Sequence, residues 1–388
     1  MAYDSTGNVT GIITGSRTSQ ILRLASIVNQ NVFWRPERGP LRELLDRISI
    51  KDVAKAAGTS VSTVSRALND HPDVSPETRQ RILDTATRMG YERNPFAQGL
   101  ISGKSGLLAV IVHDIDNDYQ LQLMRGCSTV AKAYEQELLL VLTEERDRVL
   151  GACLSVYRRG LADGAMVAGP LPDEEEGLLR LQNAGFPIVA VHPKRPIPGL
   201  TTIEPMDRDG ALSAVRYLLG LGHRRIGLIV ELPEWGAGQH RLTGYEAALT
   251  EADIGADPAL IHLGIPGSPE ESGRVAIEHW CELGTKMTAV LCFNDLVAYG
   301  AIRELAARGI RVPEDMSVIG FDDLPNSEYF AMRGLTTVRQ PITQIGELAM
   351  ETLVKLCEGE LEPGDHIHVP TELIVRGTTG RVTEHQGC

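Results

Sequence analysis

Between Ile50 and Gly90 the apolar residues recur at helical spacing, and from Leu107 onward short apolar runs alternate with longer helical stretches. Ile50, Val53, Ala54 and Ala57 fall at i, i+3, i+4 and i+7, one face of a helix that Gly58 stops. Ser60 is placed to cap a second helix, with Val64 and Leu68 inward and Val61, Ser62, Ser65, Arg66 and Asn69 outward. Ser75 caps a third, with Pro76 at its first position, Ile82, Ala86 and Met89 as its inner stripe, and Gly90 at its end. Two short helices joined by a Gly-containing turn and backed by a third form a helix-turn-helix. Asn94-Pro95 then opens a short segment up to Lys104. It is too short to hold a helix alone, and Gly99 weakens it by about 1 kcal/mol against alanine.

The later apolar runs are Leu107-Val112, Leu138-Leu142, Ala165-Val167, Ile188-Val191, Ile226-Val230, Ala289-Cys292 and Val318-Phe321. Alternating with helical stretches, they predict parallel sheets wrapped by helices. Two sheets of about six strands suit the length better than one very wide sheet. The expected fold is therefore an all-α helix-turn-helix unit followed by an α/β part built on two doubly wound parallel sheets. Ligands in such sheets bind beyond the carboxyl ends of the strands, so the residues just after each run are the candidates.

Composition changes this picture in two places. The net charge of -13 argues against nucleic acid only if read globally. Residues 1–47 and 48–104 each carry +2 and the remainder -17, which confines any DNA contact to the front of the chain. The six cysteines (Cys127, Cys153, Cys281, Cys292, Cys357 and Cys388) are scattered, without a C-x-x-C pair, and read as reduced thiols. No run of eighteen apolar residues and no export-like leader is present, so a cytoplasmic protein is expected. Residues 1–47, with a Pro/Arg-rich stretch from Trp34 to Pro40, read as a disordered extension or as the product of a start codon assigned too early. The spacing of Ile21, Leu24 and Ile27 allows a short helix there.

Reading a major groove takes a helix with small polar and cationic residues outside, because bulky groups would hold it off the base edges. Ser62, Ser65 and Arg66 fit, flanked by Val61 and Asn69. Ser49, Thr63, Ser75, Thr78 and Arg79 suit phosphate oxygens. His113, His192 and His223 lie in unrelated segments, so hydrogen-bonded or solvated histidines are expected, with no metal and no cofactor. No nucleophile elbow, Walker loop or His-Glu-x-x-His helix is present, and Gly236-x-Gly238 lacks the rest of a dinucleotide motif, which leaves an enzyme without residues to act with.

From residue 48 to about 381 the sequence resembles the lactose/galactose repressor family. The likeness rests on the Ser49–Asn69 motif, Tyr91-x2-Asn94, Gly222-His-Arg-Arg-Ile-Gly227, Asn294-Asp295, the run from Val312 to Asp323, and Leu335-Thr-Thr-Val338-x-Gln340. It implies an all-α DNA-binding headpiece over residues 48–93, a hinge helix over 94–106 that forms on operator, and over 107–381 an α/β sensor of two doubly wound parallel-sheet subdomains like the periplasmic sugar-binding proteins. The subdomains would comprise about 107–205 with 340–368, and about 206–338 with 369–381, with crossovers near Pro205, Val338 and His368 and a tail over 382–388. Leu100 matches the family's leucine that enters the minor groove, where an apolar wedge can unstack a base step; ordinary hinge packing is the alternative. Gly99 and Thr59 depart from the family pattern. Arg241 and Asp295 match the sugar-contacting arginine and aspartate, and a guanidinium with a carboxylate suits adjacent hydroxyls. Tyr119, Gln120, Trp235, Asp322 and Gln340 are further effector candidates, although Asp322 could instead cap a loop and Gln340 could only steady a crossover.

The resulting expectation is a repressor that binds a palindromic operator as a homodimer under control of a sugar-like effector. The chain shows no leucine heptads near residue 388 that would add a tetramerising coil. The rivals are a soluble ligand receptor without DNA function and, third, an enzyme on a doubly wound fold.

Overall fold

The computed structural model describes residues 48–91, 104–113, 115, 118–143, 149–169, 175–193, 197–231, 233, 236–265, 267–325 and 334–382. The expected extension over 1–47, Asn94, Gly99, Leu100, Trp235 and the end of the tail lie outside these residues. The chain divides into two units, residues 1–93 and 94–388.

The small unit consists of α1 (Ile50–Ala56), α2 (Val61–Leu68) and α3 (Pro76–Met89) around Val53, Val64 and Ile82. The Ser60 and Ser75 hydroxyls accept the backbone N–H groups of Thr63 (3.1 Å) and Thr78 (3.3 Å), satisfying donors that a helix start leaves unpaired. Gly90 ends α3 at φ 68°, a left-handed conformation that costs a glycine little. The inner face of α2 differs from the sequence expectation. Ala67, three residues after Val64, takes the second buried position and Leu68 is only half-buried.

The large unit holds two six-stranded sheets. In the first lobe β1 (Leu107–Val112), β2 (Glu137–Leu142), β3 (Gly164–Ala168), β4 (Ile188–Val191), β5 (Thr201–Pro205) and β11 (His366–Val369) lie in the order β11-β5-β4-β3-β1-β2. In the second, β6 (Ile226–Val230), β7 (Ile261–Leu263), β8 (Ala289–Cys292), β9 (Ser317–Asp322), β10 (Thr336–Arg339) and β12 (Glu372–Ile374) lie in the order β12-β10-β9-β8-β6-β7. The two orders are the same pattern. They differ at one edge, where β11 runs parallel to β5 but β12 antiparallel to β10. The chain passes from one sheet to the other after Pro205, after Arg339 and after Val369.

Helices cover both faces, as buried parallel strands require. α4 (Asp118–Ala133) pairs with α11 (Ile342–Glu358) in the first lobe, and α8 (Gly236–Glu251) with α7 (Asp207–Gly220) in the second. α5 (Val149–Arg159), α6 (Glu175–Asn183), α9 (Pro269–Glu282) and α10 (Asp295–Ala307) complete the layers. Each of these two pairs depends on glycine. A Cβ at Gly126 would lie 2.0 Å from the Thr343 carbonyl oxygen, and one at Gly244 would lie 2.2 Å from that of Arg208, so no larger residue lets these helices approach as they do.

Candidate functional site

On the small unit, α2 leaves Val61, Ser62, Arg66 and Asn69 exposed and Ser65 and Thr63 half-buried. Val61, an apolar residue 40% exposed, sits at the first position of this helix. Arg66 has no side-chain partner among the described residues. The groups expected to meet phosphate are engaged within the unit. The Ser49 hydroxyl donates to the Asp52 carboxylate (2.6 Å), the Ser60 hydroxyl lies 2.8 Å from that of Thr63, and the Ser75 hydroxyl donates to that of Thr78 (2.9 Å). Arg79 donates to the His71 carbonyl (2.7 Å) and pairs with Asp70 (2.7 Å). In this structure it ties α3 to the preceding turn.

In the large unit, residues after the carboxyl ends of β1, β4, β6, β8 and β9 converge on a cavity of about 430 Å³. The first lobe contributes His113, Tyr119 and His192, and the second Glu231, Arg241, Phe293, Asn294 and Asp322, with Gln340 at a crossover. A larger opening, about 1020 Å³, lies at the opposite, amino end of the first sheet near Ser105, Asp163 and Pro187. The smaller cavity is the better candidate, because polar side chains of both lobes meet at the strand ends where this fold binds ligands.

A continuous network crosses the cavity. The Tyr119 hydroxyl lies 2.8 Å from His192 Nδ1, and His192 Nε2 lies 3.0 Å from Asp207 Oδ2. Asp207 Oδ1 accepts from Arg241 Nε (3.0 Å) and Nη2 (2.9 Å). Arg241 Nη1 donates to the Phe293 carbonyl, and its guanidinium lies over the rings of Phe321 (3.7 Å) and Phe293 (4.5 Å). Asp322 Oδ1 is 3.7 Å from Arg241 Nη2 and accepts from Gln340 Nε2 at 2.7 Å.

Burial and charge set the protonation of this cluster. Burial pushes the Asp207 carboxyl up, but Arg241 and His192 more than offset it and hold the pKa below its ordinary value. For Asp322 burial prevails over the Arg241 attraction, with Asp207 adding repulsion, and its pKa rises to about 6. Burial, reinforced by Asp322 and Asp207, drives the Tyr119 phenol well above its usual range.

Tyr119, Arg241, Asp322 and Gln340 thus line one cavity, whereas two other effector candidates do not. Asp295 is fully buried beneath it: its carboxylate accepts the Leu324 N–H (2.7 Å) and the Thr337 hydroxyl (2.6 Å), joining α10 to β10 and to the loop after β9. Gly320 makes room, since a Cβ there would come 2.3 Å from Asp295 Oδ1. Asp295, expected to contact a sugar, thus stands beneath the lining, and its neighbour Asn294 lines the cavity. Gln120 is buried on α4 away from the lining. Sequence reasoning missed Asp207 and left His192 as an ordinary hydrogen-bonded histidine. His192 directly follows the β4 run, a position the strand-end rule marks.

A small helical headpiece with an open polar face and a two-lobed sheet unit with a cleft define a DNA-binding regulator with a ligand-sensing domain. The family comparison agrees. Residues 49–94 match the model for bacterial regulatory proteins of the lacI family, and residues 215–379 match that for the periplasmic binding protein-like domain. The HTH-type transcriptional regulator DegA of Bacillus subtilis (strain 168) is 30% identical over 338 residues, 86% of this chain and 98% of the relative. Among solved structures, a lac repressor dimer bound to operator and the anti-inducer ONPF aligns with a TM-score of 0.76 at 26% identity, over 86% of this chain and all of the other. The transcriptional regulator CelR in complex with cellobiose aligns with a TM-score of 0.64 at 27% identity, again over 86% and 100%. The chain belongs to the lacI family and is a DNA-binding transcriptional regulator, not an enzyme. Among the described residues no helix is long and apolar enough to cross a membrane.

Proposed function

We propose that the chain is a cytoplasmic repressor that binds a palindromic operator as a homodimer and releases or grips it according to a small sugar-like effector. The observation that carries this reading is the presence in one chain of an exposed small-polar face on α2 and a cleft whose polar groups come from both lobes. Ser62, Ser65 and Arg66 read base edges, Val61 meets a thymine methyl, and Asn69 flanks them. Ser49, Thr63, Ser75, Thr78 and the backbone amides at the starts of α2 and α3 meet phosphates, with Arg79 steadying them. Asn94 caps the linker and Leu100 is the minor-groove wedge, both by likeness to the family. Tyr119, Arg241, Asp322 and Gln340 hold the effector, and Trp235 adds a stacking face. An effector that favours one lobe arrangement by ~1–3 kcal/mol suffices to switch occupancy. Likeness to an operator-bound dimer and to a cellobiose complex supports the partners.

The test is a mobility-shift titration of Arg66→Ala against a palindromic site selected by the wild-type protein, at fixed salt. A bidentate base contact is worth ~1–3 kcal/mol, so affinity for the selected site should fall by that amount while binding to random DNA changes little. Equal affinity of variant and wild type for the selected site would refute the reader role of α2.

A further inference from the structure

The charged groups of the cleft specify the electrical character of its ligand. Arg241 is the side chain that would be expected to capture an anion, but it is 4% exposed and already engaged. Three of its N–H groups go to Asp207 and the Phe293 carbonyl, both rings beside it are aromatic, and Asp322 stands 3.7 Å from Nη2. Its charge is answered by two carboxylates before any ligand arrives. What remains of Arg241 is one or two hydrogen bonds to a neutral oxygen.

The helix starts at this end of the fold point the same way. A helix N-terminus attracts anions through its free N–H groups. Here α4, α7 and α10 each carry an aspartate in the first turn, Asp118, Asp207 and Asp295, so their positive ends are met from within the chain. α8 and α11 have no acid in the first turn, although Glu231, just before α8, lines the cavity.

The acceptors are placed for incoming donors. Gln340 contributes to the cavity lining, but it is 3% exposed: its amide nitrogen is spent on Asp322, and its Oε1 is buried without a partner. A buried acceptor favours a donor over a second acceptor, so a ligand hydroxyl that reaches Oε1 as the lobes adjust gains a hydrogen bond there. A carboxylate or phosphate in its place would bring acceptors to acceptors and a negative charge to Asp322.

Resting on the effector role of this cleft, we infer that the effector is an uncharged polyhydroxyl compound, a sugar or nucleoside, and that its uronate and phosphate counterparts are excluded by charge. The experiment uses the full-length protein and calorimetry with D-glucose, D-galactose, D-ribose, cellobiose and uridine, each beside its carboxylate or phosphate counterpart. At least one neutral member should saturate the cleft, and its anionic counterpart should bind roughly tenfold or more weakly. In Asp322→Asn that gap should narrow. Tighter or equal binding of any anionic counterpart, or no binding by any neutral member, or an unchanged gap in Asp322→Asn, would overturn the inference. Titrating the selected DNA site with and without the bound sugar separates the two readings. A sugar that binds as expected but leaves DNA affinity unchanged removes the effector role and leaves the charge preference standing.

Discussion

The two lobes repeat one strand order and one tight helix pairing, yet they bring opposite chemistry to the cavity between them. The first supplies ring side chains, His113, Tyr119 and His192. The second supplies the full charges, Glu231, Arg241 and Asp322, with Asp207 behind Arg241. Even the tight helix contacts correspond, through Gly126 on α4 and Gly244 on α8. The backbone plan is duplicated while the residues at the strand ends are free to diverge, because the sheet fixes where a side chain emerges and not what it is. One lobe is thus a preset polar bed and the other an aromatic cover that meets it through His192 and Asp207.

The strongest way to break this contrast is Arg241→Ala. It strands Asp207 and Asp322 in a buried site, and removing one partner of a buried ion pair costs ~3–5 kcal/mol. Urea unfolding should show a loss of that size; a loss below ~1 kcal/mol would mean the second lobe is not held by its charges. Asp295→Ala should come next, at ~1–3 kcal/mol in the same assay, because the Leu324 N–H and Thr337 hydroxyl lose their acceptor. Since Asp295 lies below the cavity, sugar affinity measured in the folded variant should fall by less than about threefold, and a larger fall would restore it to the ligand.

Asp322→Asn sharpens the comparison through pH. The folded pKa of Asp322 is raised to about 6 from an ordinary 3.8, so the folded protein retains a proton the unfolded chain has released. Its contribution to stability is fully present below the unfolded value and is lost as pH rises through about 6. The groups facing it are Arg241, Asp207, His192 and Gln340, and they remain in the variant. Melting temperatures of wild type and variant should therefore diverge between those limits, with the wild type losing more on going up. Parallel curves would place Asp322 in contact with solvent. Tyr119→Phe should have the smallest effect: it removes one hydrogen bond to His192, worth ~0.5–1.5 kcal/mol. If unfolding shows it to cost as much as Arg241→Ala, the first lobe is not a mere cover.

Much of the fold was legible because seven strands carry continuous apolar runs, six of them buried as strands covered on both faces tend to be, and the seventh, β2, a partly exposed edge strand. The five that were not, β5, β7, β10, β11 and β12, are short or polar. β5 is buried although it reads Thr-Thr-Ile-Glu-Pro, and one of its hydroxyls, that of Thr202, is satisfied by His366 of β11 at 2.7 Å. Such side-to-side pairing across the sheet has no periodic trace in the sequence. The same limit explains Asp295. Asn294 and Asp295 are adjacent at one strand end, and which of them faces the cavity is decided by the helix cap, where Asn294 accepts the Val297 N–H at 2.9 Å. Asp207 was invisible for a related reason, since its partner Arg241 is distant in sequence and joins it only when α7 and α8 pack.

The three passages between the sheets have a mechanical consequence. Two bodies on a single tether can turn about any axis, whereas several tethers side by side leave mainly one bending motion. Here two of them are bonded laterally, Met206 N–H to the Val369 carbonyl at 2.9 Å and the Thr371 hydroxyl to the Met206 carbonyl at 3.2 Å. Twisting the lobes against each other would break these bonds, while opening and closing need not. Differences in ligand size and shape are thereby projected onto a single angle, so that chemically unrelated molecules can be ranked on one scale of aperture.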